Sequence, residues 1–209
     1  MKHYFFILIF CAVFSISSYA ENMNVLNNSE PQSNLNNILQ KLQKNTVLRS
    51  QFKQARYLKI LSKPIISEGQ LNYFSGKGII WKIQTPIKST IIISQNKITE
   101  INPDGQLTSR VNLGSIYTLL DALFNGNDKT LKQNFDISYN ISTQQWILKL
   151  TPTSAPLNKI FKTIEIQGQQ QITRITLIDA NSDSTVISLH STDTKPLAIS
   201  ATEEAYFAL

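Results

Sequence analysis

The spacing of hydrophobic residues changes along the chain, and each change marks a different kind of element. Leu35, Ile38, Leu39 and Leu42 recur at helical spacing, with Ser33 or Asn34 as the candidate N-cap, which predicts one amphipathic helix ahead of everything else. From about Val47 to Val111 the period becomes two and β-branched residues dominate, with Ile91-Ile92-Ile93 and Lys97-Ile98-Thr99 as strand interiors. Ser75-Gly76-Lys77-Gly78 and Asn102-Pro103-Asp104-Gly105 separate these runs with turn residues. Connections this short make an antiparallel meander, because parallel crossovers need far more chain.

A second helical window follows, with Leu113, Ile116, Tyr117, Leu119, Leu120, Leu123 and Phe124 as its apolar stripe and Asn125-Gly126-Asn127 as its stop. The period of two then returns. Phe135, Ile137, Tyr139 and Ile141 alternate with polar residues, and Trp146 to Leu150, Thr163 to Ile166, Gln171 to Asp179 and Thr185 to His190 continue the series, with a helical turn predicted in Pro156 to Phe161. The reading is about ten strands and two or three helices. So many antiparallel strands must close or be covered, since bare edges invite aggregation. The fold class expected is mainly β with α: a strongly curved antiparallel sheet with helices on its concave face and an apolar space between them.

Residues 1–20 read as a secretory signal peptide. Lys2 and His3 precede an apolar core of thirteen residues, Tyr4 to Ile16, and Ser18-Tyr19-Ala20 is a small-x-small site that predicts cleavage after Ala20. Thirteen apolar residues are too few to span a bilayer, which takes about 20. Residues 21–34, rich in Asn, read as a flexible linker, and 35–209 as a single domain. Cys11, the one cysteine, lies in the signal, so an exported domain would fold without disulfides.

Charge is uneven. From Lys41 to Lys63 there are seven bases and no acid, whereas Asp179 to Glu204 holds five acids and one base. The basic stretch reads as a solvated face, with attraction to anionic headgroups or an acidic receptor as the alternative. The net charge of +6 becomes +5 without Lys2, and an exported chain has little access to nucleic acid.

Catalytic chemistry is hard to find. The mature chain holds one histidine, His190, without a G-x-S-x-G elbow, and it reads as structural. No cysteine and one histidine leave only scattered carboxylates for a metal. Gly76-Lys77-Gly78 lacks the flanking residues of a phosphate loop and lies between strands, so it reads as a hairpin turn. Asp121 is read as facing solvent, with Arg56 or Arg110 as the partner were it buried.

The order Phe52-Lys53-Gln54, Ser67-Glu68-Gly69-Gln70-Leu71, Gly78-Ile79-Ile80-Trp81-Lys82 and Thr85-Pro86 resembles the opening sheet of the LolA-like periplasmic carriers. Members of that family escort lipoproteins from the inner to the outer membrane of Gram-negative bacteria. The resemblance implies an incomplete β-barrel with a helical lid, an apolar cavity for acyl chains, no cofactor and no catalytic activity. It also implies an inner-membrane transporter that releases the lipid, a possible outer-membrane receptor, and a monomer. One feature departs. Family carriers place an Arg-Pro pair six residues before the Trp to latch the lid, and Ser75-Gly76 stand there instead, which points to a divergent branch. Some such branches serve glycolipid or polyene-lipid export.

Acyl chains of a lipoprotein or glycolipid need only an apolar hollow, since each buried methylene contributes about 0.8 kcal/mol. The cavity candidates are Phe52, Leu58, Leu71, Tyr73, Ile79, Trp81, Ile83 and Ile92 from the sheet, with Leu120, Leu123 and Phe124 from the covering helix. The other expectation to be weighed is a β-rich envelope assembly module with a filled core.

Overall fold

The first apolar stripe folds as α1 (Pro31–Gln43), with Leu35, Ile38, Leu39 and Leu42 all buried. The helix begins at Pro31, a residue that suits a first turn, so Ser33 and Asn34 lie inside it and do not cap it. A computed structural model describes residues 31–44, 46–95, 97–111, 114–153, 155, 157–191 and 198–209. The expected signal peptide and most of the expected linker lie outside these residues.

After α1 the meander runs through β1 (Val47–Tyr57), β2 (Ile65–Phe74), β3 (Gly78–Thr85), β4 (Ser89–Ser94), β5 (Lys97–Ile101) and β6 (Leu107–Val111). Two helices, α2 (Gly114–Asn125) and α3 (Asp128–Asn134), lead to β7 (Phe135–Ile141) and β8 (Trp146–Pro152). The four-residue α4 (Leu157–Ile160) precedes β9 (Phe161–Gly168), β10 (Ile172–Asp179) and β11 (Ser184–Ser191), and α5 (Ala201–Phe207) ends the chain. All eleven described strands form one antiparallel sheet in the order β6-β5-β4-β3-β2-β1-β11-β10-β9-β8-β7. Two meanders are thus joined where β1 pairs with β11, and β6 and β7 are left as unpaired edges.

Laid flat, such a sheet would be roughly 48 Å wide at about 4.8 Å per strand. Yet Ile98 of β5 and Ile164 of β9 line one cavity, so the sheet curls until its two halves face each other. The register fixes which residues point inward. Phe52 lies opposite Leu189, Leu71 opposite Trp81, Trp81 opposite Ile91, and Ile175 opposite Ile187, and all belong to one buried cluster or pack against it. Gly69 lets β2 and β3 approach closely. A register shift lies between Glu68 and Gly69, and a Cβ on Gly69 would come within 1.9 Å of the Lys82 carbonyl oxygen.

Helices α1 and α2 pack together on the concave side, with α3 against α2 and β7. Gly126, at φ +64°, ends α2 so close to α1 that a Cβ would lie 2.6 Å from the Leu39 carbonyl oxygen. α3 was not anticipated from the sequence, although Asn127 caps it by accepting from the Thr130 amide.

The last helix departs from the expected arrangement, because α5 lies on the convex face. Glu203 accepts from Arg49 Nε at 2.9 Å, from Arg49 Nη2 at 2.7 Å and from Asn72 Nδ2 at 3.1 Å, and all these donors project from the outer faces of β1 and β2. Phe207 meets Phe74 edge to face, Lys82 stands over the Tyr206 ring, and Lys77 pairs with Glu204. This cover explains why Phe74, Ile80 and Ile92 are buried on the outer surface of the sheet.

The Arg49 hydrogen bonds, helped by those from Ser200, hold the Glu203 carboxyl at about 2, below its ordinary 4.5. A depressed carboxyl stabilises the fold above pH 4.5 and loses that contribution as pH falls through about 2. Glu203→Gln should therefore lower stability at pH 7 by about 2 kcal/mol, the scale of hydrogen bonds to charged groups. In thermal melts its deficit against wild type should shrink as pH falls from 4.5 toward 2.

Candidate functional site: an apolar cavity between the sheet halves

The inward faces of the two half-sheets do not meet, and a cavity of about 180 Å³ remains between them. One wall is Leu71, Ile79, Trp81, Ile91, Ile93 and Ile98 of β2 to β5. The opposite wall is Ile164, Ile166, Ile172, Ile175 and Leu177 of β9 and β10. Leu119, Leu120, Leu123 and Phe124 of α2 cover it, and Leu157 and Ile160 of α4 flank it.

Its two ends differ. At the end where β1 finishes and β11 begins, the lining is polar or half-exposed: Gln54, Arg56, Asp179, Asp183, Thr185 and the ring of Phe161. At the other end Ile79, Ile93, Ile166 and Ile172 are buried, and Trp146 beside Gly168 is sealed beneath α1. The cavity is therefore a pouch with its mouth beside Arg56 and Asp183. A larger groove of about 770 Å³ lies outside the sealed end, but Asn37, Gln40, Gln144, Gln145 and Gln169 line it and make it unsuited to apolar cargo.

The expected cavity residues separate into three groups. Leu71, Ile79, Trp81, Leu120, Leu123 and Phe124 line the cavity. Phe52, Tyr73 and Ile83 share the concave side but support the lining from behind: Phe52 meets Trp81 edge to face at 5.2 Å, and Tyr73 stacks on Phe124 at 4.9 Å. Leu58 and Ile92 lie elsewhere. Leu58 is past the end of β1 in the loop to β2, and Ile92 pairs with Ile80 on the convex face. The sequence reading also omitted the whole second wall, although Ile164, Ile166, Ile175 and Leu177 alternate in their strands as a one-sided strand should.

Two polar groups in the lining stand out. Trp81 Nε1 is buried without a hydrogen-bond partner, whereas Trp146 Nε1 donates to the Gln169 carbonyl oxygen at 2.7 Å. Arg56 is only 9 % exposed, and its side chain takes part in none of the ion pairs or hydrogen bonds found among the described residues.

The cover is tied down near the sealed end. Asp121, expected to face solvent, accepts from the Tyr73 hydroxyl at 2.9 Å and from Asn125 Nδ2 at 2.9 Å, with the Gly76 amide at 3.4 Å. Its partner is thus Tyr73 and not Arg56, while the Arg110 side chain lies outside those described. Burial, then the adjoining Asp121 carboxylate, raises the Tyr73 pKa and keeps the hydroxyl a donor. The hairpin that carries Ser75-Gly76 is therefore joined to α2 by a tyrosine and an aspartate. His190 is exposed opposite Gln51 on the convex face, away from the cavity, and no cluster of metal-ligating side chains occurs among the described residues.

Residues 29–197 match the family described as outer membrane lipoprotein carrier protein LolA-like. The chain belongs to that family. Its membership gives this LolA-like protein a lipoprotein-binding or envelope-related role. No curated protein matches it. Among solved structures it is similar to a LolA superfamily protein from Nitrosomonas europaea, at 11% identity over 78% of this chain and 94% of that one, with a TM-score of 0.43. It is also similar to a DUF1329 family protein from Desulfovibrio piger, at 11% identity over 83% and 94% of the two chains and a TM-score of 0.44. A third similarity is to the Pseudomonas aeruginosa MucA/MucB complex, at 11% identity over 82% of this chain and 59% of that one, with a TM-score of 0.39. No described helix of this LolA-like chain is long and apolar enough to cross a membrane.

Tyr73→Phe keeps the ring stacked on Phe124 but leaves the Asp121 carboxylate without that donor. It should cost about 1–2 kcal/mol in denaturant unfolding. Hydrogen exchange in α2 should rise more than in β9 and β10.

Proposed function

We propose that this LolA-like protein is an exported carrier that takes an acyl chain of a lipoprotein or related lipid into the cavity between its sheet halves. It would move that cargo between the two membranes of the envelope, loaded by an inner-membrane transporter and unloaded at the outer membrane. The observation that carries this reading is the cavity itself. An unfilled hollow of 180 Å³ would cost up to about 4 kcal/mol at roughly 24 cal/mol per Å³, less where the mouth admits water. That is a large part of a typical total stability of 5–15 kcal/mol, and a filled core would avoid it.

Chemistry supports the same reading. The lining is Ile, Leu, Phe and Trp over most of its area, with the polar groups confined mainly to the mouth. That division matches an amphiphile whose chain enters first. The volume resembles the engineered cavity of about 150 Å³ that holds benzene, so it admits a short hydrocarbon segment as it stands. A long chain requires α2 to move outward from the sheet, which makes the Tyr73–Asp121 tie part of loading. Burying each further methylene returns about 0.8 kcal/mol against that opening.

A filled interaction module is the competing reading, and cavity filling separates the two. Purified protein should raise the fluorescence of a neutral apolar dye, and palmitoyl chains should displace the dye. Ile175→Phe, which adds a ring to the lining, should weaken dye uptake at least tenfold with an unchanged or higher melting temperature. Protein that carries no lipid in native mass spectrometry and takes up neither dye nor acylated peptide would exclude the carrier reading.

A further inference from the structure

We infer that the cargo carries an oxyanion, a carboxylate or phosphate attached to the acyl chain, and that Arg56 at the cavity mouth binds it. This rests on the carrier reading and adds the chemistry of the headgroup. Arg56 follows Phe52 and Gln54 on the inward face of β1, opposite Thr185, and lines the cavity. It is 91 % buried, counted as the complement of its 9 % exposure. The aliphatic stem accounts for much of that burial: the guanidinium nitrogens are not among the fully enclosed polar atoms that lack a partner, so the charged head reaches the mouth while the stem lies along the apolar wall.

The two acids in the cavity lining each use one oxygen in other contacts. Asp179 Oδ1 accepts from the amides of Asn181 at 2.8 Å and Asp183 at 3.0 Å, and Asp183 Oδ1 accepts from the Lys59 amide at 3.0 Å. Neither carboxylate lies within 4.0 Å of Arg56, since no such ion pair occurs. The planar donor fork of Arg56 is thus left without a protein partner at the mouth. That fork suits two oxygens of a carboxylate or phosphate. The hydrocarbon would run from Arg56 down to Leu71 and Trp81, away from the mouth.

The test is dye displacement by palmitate, hexadecyl phosphate, methyl palmitate and inorganic phosphate. Wild type should respond to the first two at concentrations at least tenfold lower than to the neutral ester, and inorganic phosphate should not displace the dye. Arg56→Met should bring the charged and neutral ligands within about twofold of each other while still binding dye, and Arg56→Lys should restore part of the preference. The melting temperature of Arg56→Met should equal or exceed that of wild type, because the Arg56 side chain makes no ion pair or hydrogen bond within the protein that the substitution would break and Met keeps an apolar stem against the wall. No preference in wild type, an undiminished preference in Arg56→Met, or a lower melting temperature of that variant would overturn the assignment. Loss of dye binding by wild type would instead overturn the carrier reading.

A separate observation concerns the rim around the mouth. We also propose that this rim rests on an anionic bilayer surface. Tyr57, Ile60, Leu61, Ile66 and Ile87 are large apolar residues exposed on or beside the β1–β2 and β3–β4 loops at this end of the sheet, with Ile60 89 % exposed. Lys59, Lys63 and Lys88 are exposed in the same two loops. Apolar side chains flanked by lysines fit the boundary between headgroups and acyl chains, where each lysine adds attraction to anionic lipid. The acids toward that end are exposed Asp104 in the β5–β6 turn, exposed Glu68 on β2, which is paired with Lys53, and half-buried Asp179 and Asp183 at the mouth; none of them lies in the two loops.

Flotation with phosphatidylcholine vesicles, with and without phosphatidylglycerol, tests this surface. Wild type should float with the anionic vesicles, and added salt should weaken the association. Ile60→Ser with Leu61→Ser should abolish flotation, and Lys59→Glu with Lys63→Glu should reduce it at least fivefold, both with unchanged dye uptake. Absence of binding to anionic vesicles, or binding that survives both pairs of substitutions, would overturn the proposal.

Discussion

Because β6 and β7 do not pair, the sheet curls without becoming a barrel, and its inward face has no wall of its own along one side. A closed barrel of small diameter would fill its interior with strand side chains. Here the missing wall is supplied by α1, α2 and α3, which approach the sheet but do not interdigitate with all of it. The apolar residues of β2 to β5 and of β9 and β10 are thereby brought opposite one another across a gap. Cavity, cover and mouth all follow from that incomplete closure.

The two ends of the gap are built from different chemistry for local reasons. Where α1 meets Trp146, the indole and Ile38 are both buried. Where β1 ends, the strand carries Gln54 and Arg56 inward while the β10–β11 turn brings Asp179 and Asp183 around them. The result is a directional hollow with a charged entrance and an apolar floor. The resting volume is modest because Asp121 holds α2 close to the sheet, accepting from the Tyr73 hydroxyl and the Gly76 amide of the hairpin that carries Ser75-Gly76.

Much of this was legible in the sequence. The helical stripes of α1 and α2 and the alternation of the strands gave the architecture, and Trp81, Leu71 and Ile79 pointed to the first wall. Ile92 was misplaced because Ile91-Ile92-Ile93 is apolar on both faces, so alternation carried no information there. The reason is α5, which covers the outer face locally and whose capping box, Ser200 with Glu203, is a readable S-x-x-E signature that went unused. Asp121 could not be assigned from its helix alone, since its partner Tyr73 is 48 residues away in the sequence. Arg56 appeared as one of seven bases in a run. Only the register with Thr185 separates it from Lys53, which pairs with Glu68 at the surface.

The outer helix has a mechanical consequence. Through Glu203, Glu204, Tyr206 and Phe207 it clasps the strands from β1 to β3 from outside, much as a splint holds one side of a joint. These named contacts do not reach β7 to β10. Motion that enlarges the hollow should then be lopsided: one half-sheet acts as a fixed jaw, and the other, together with α2 and α4, is the jaw that swings.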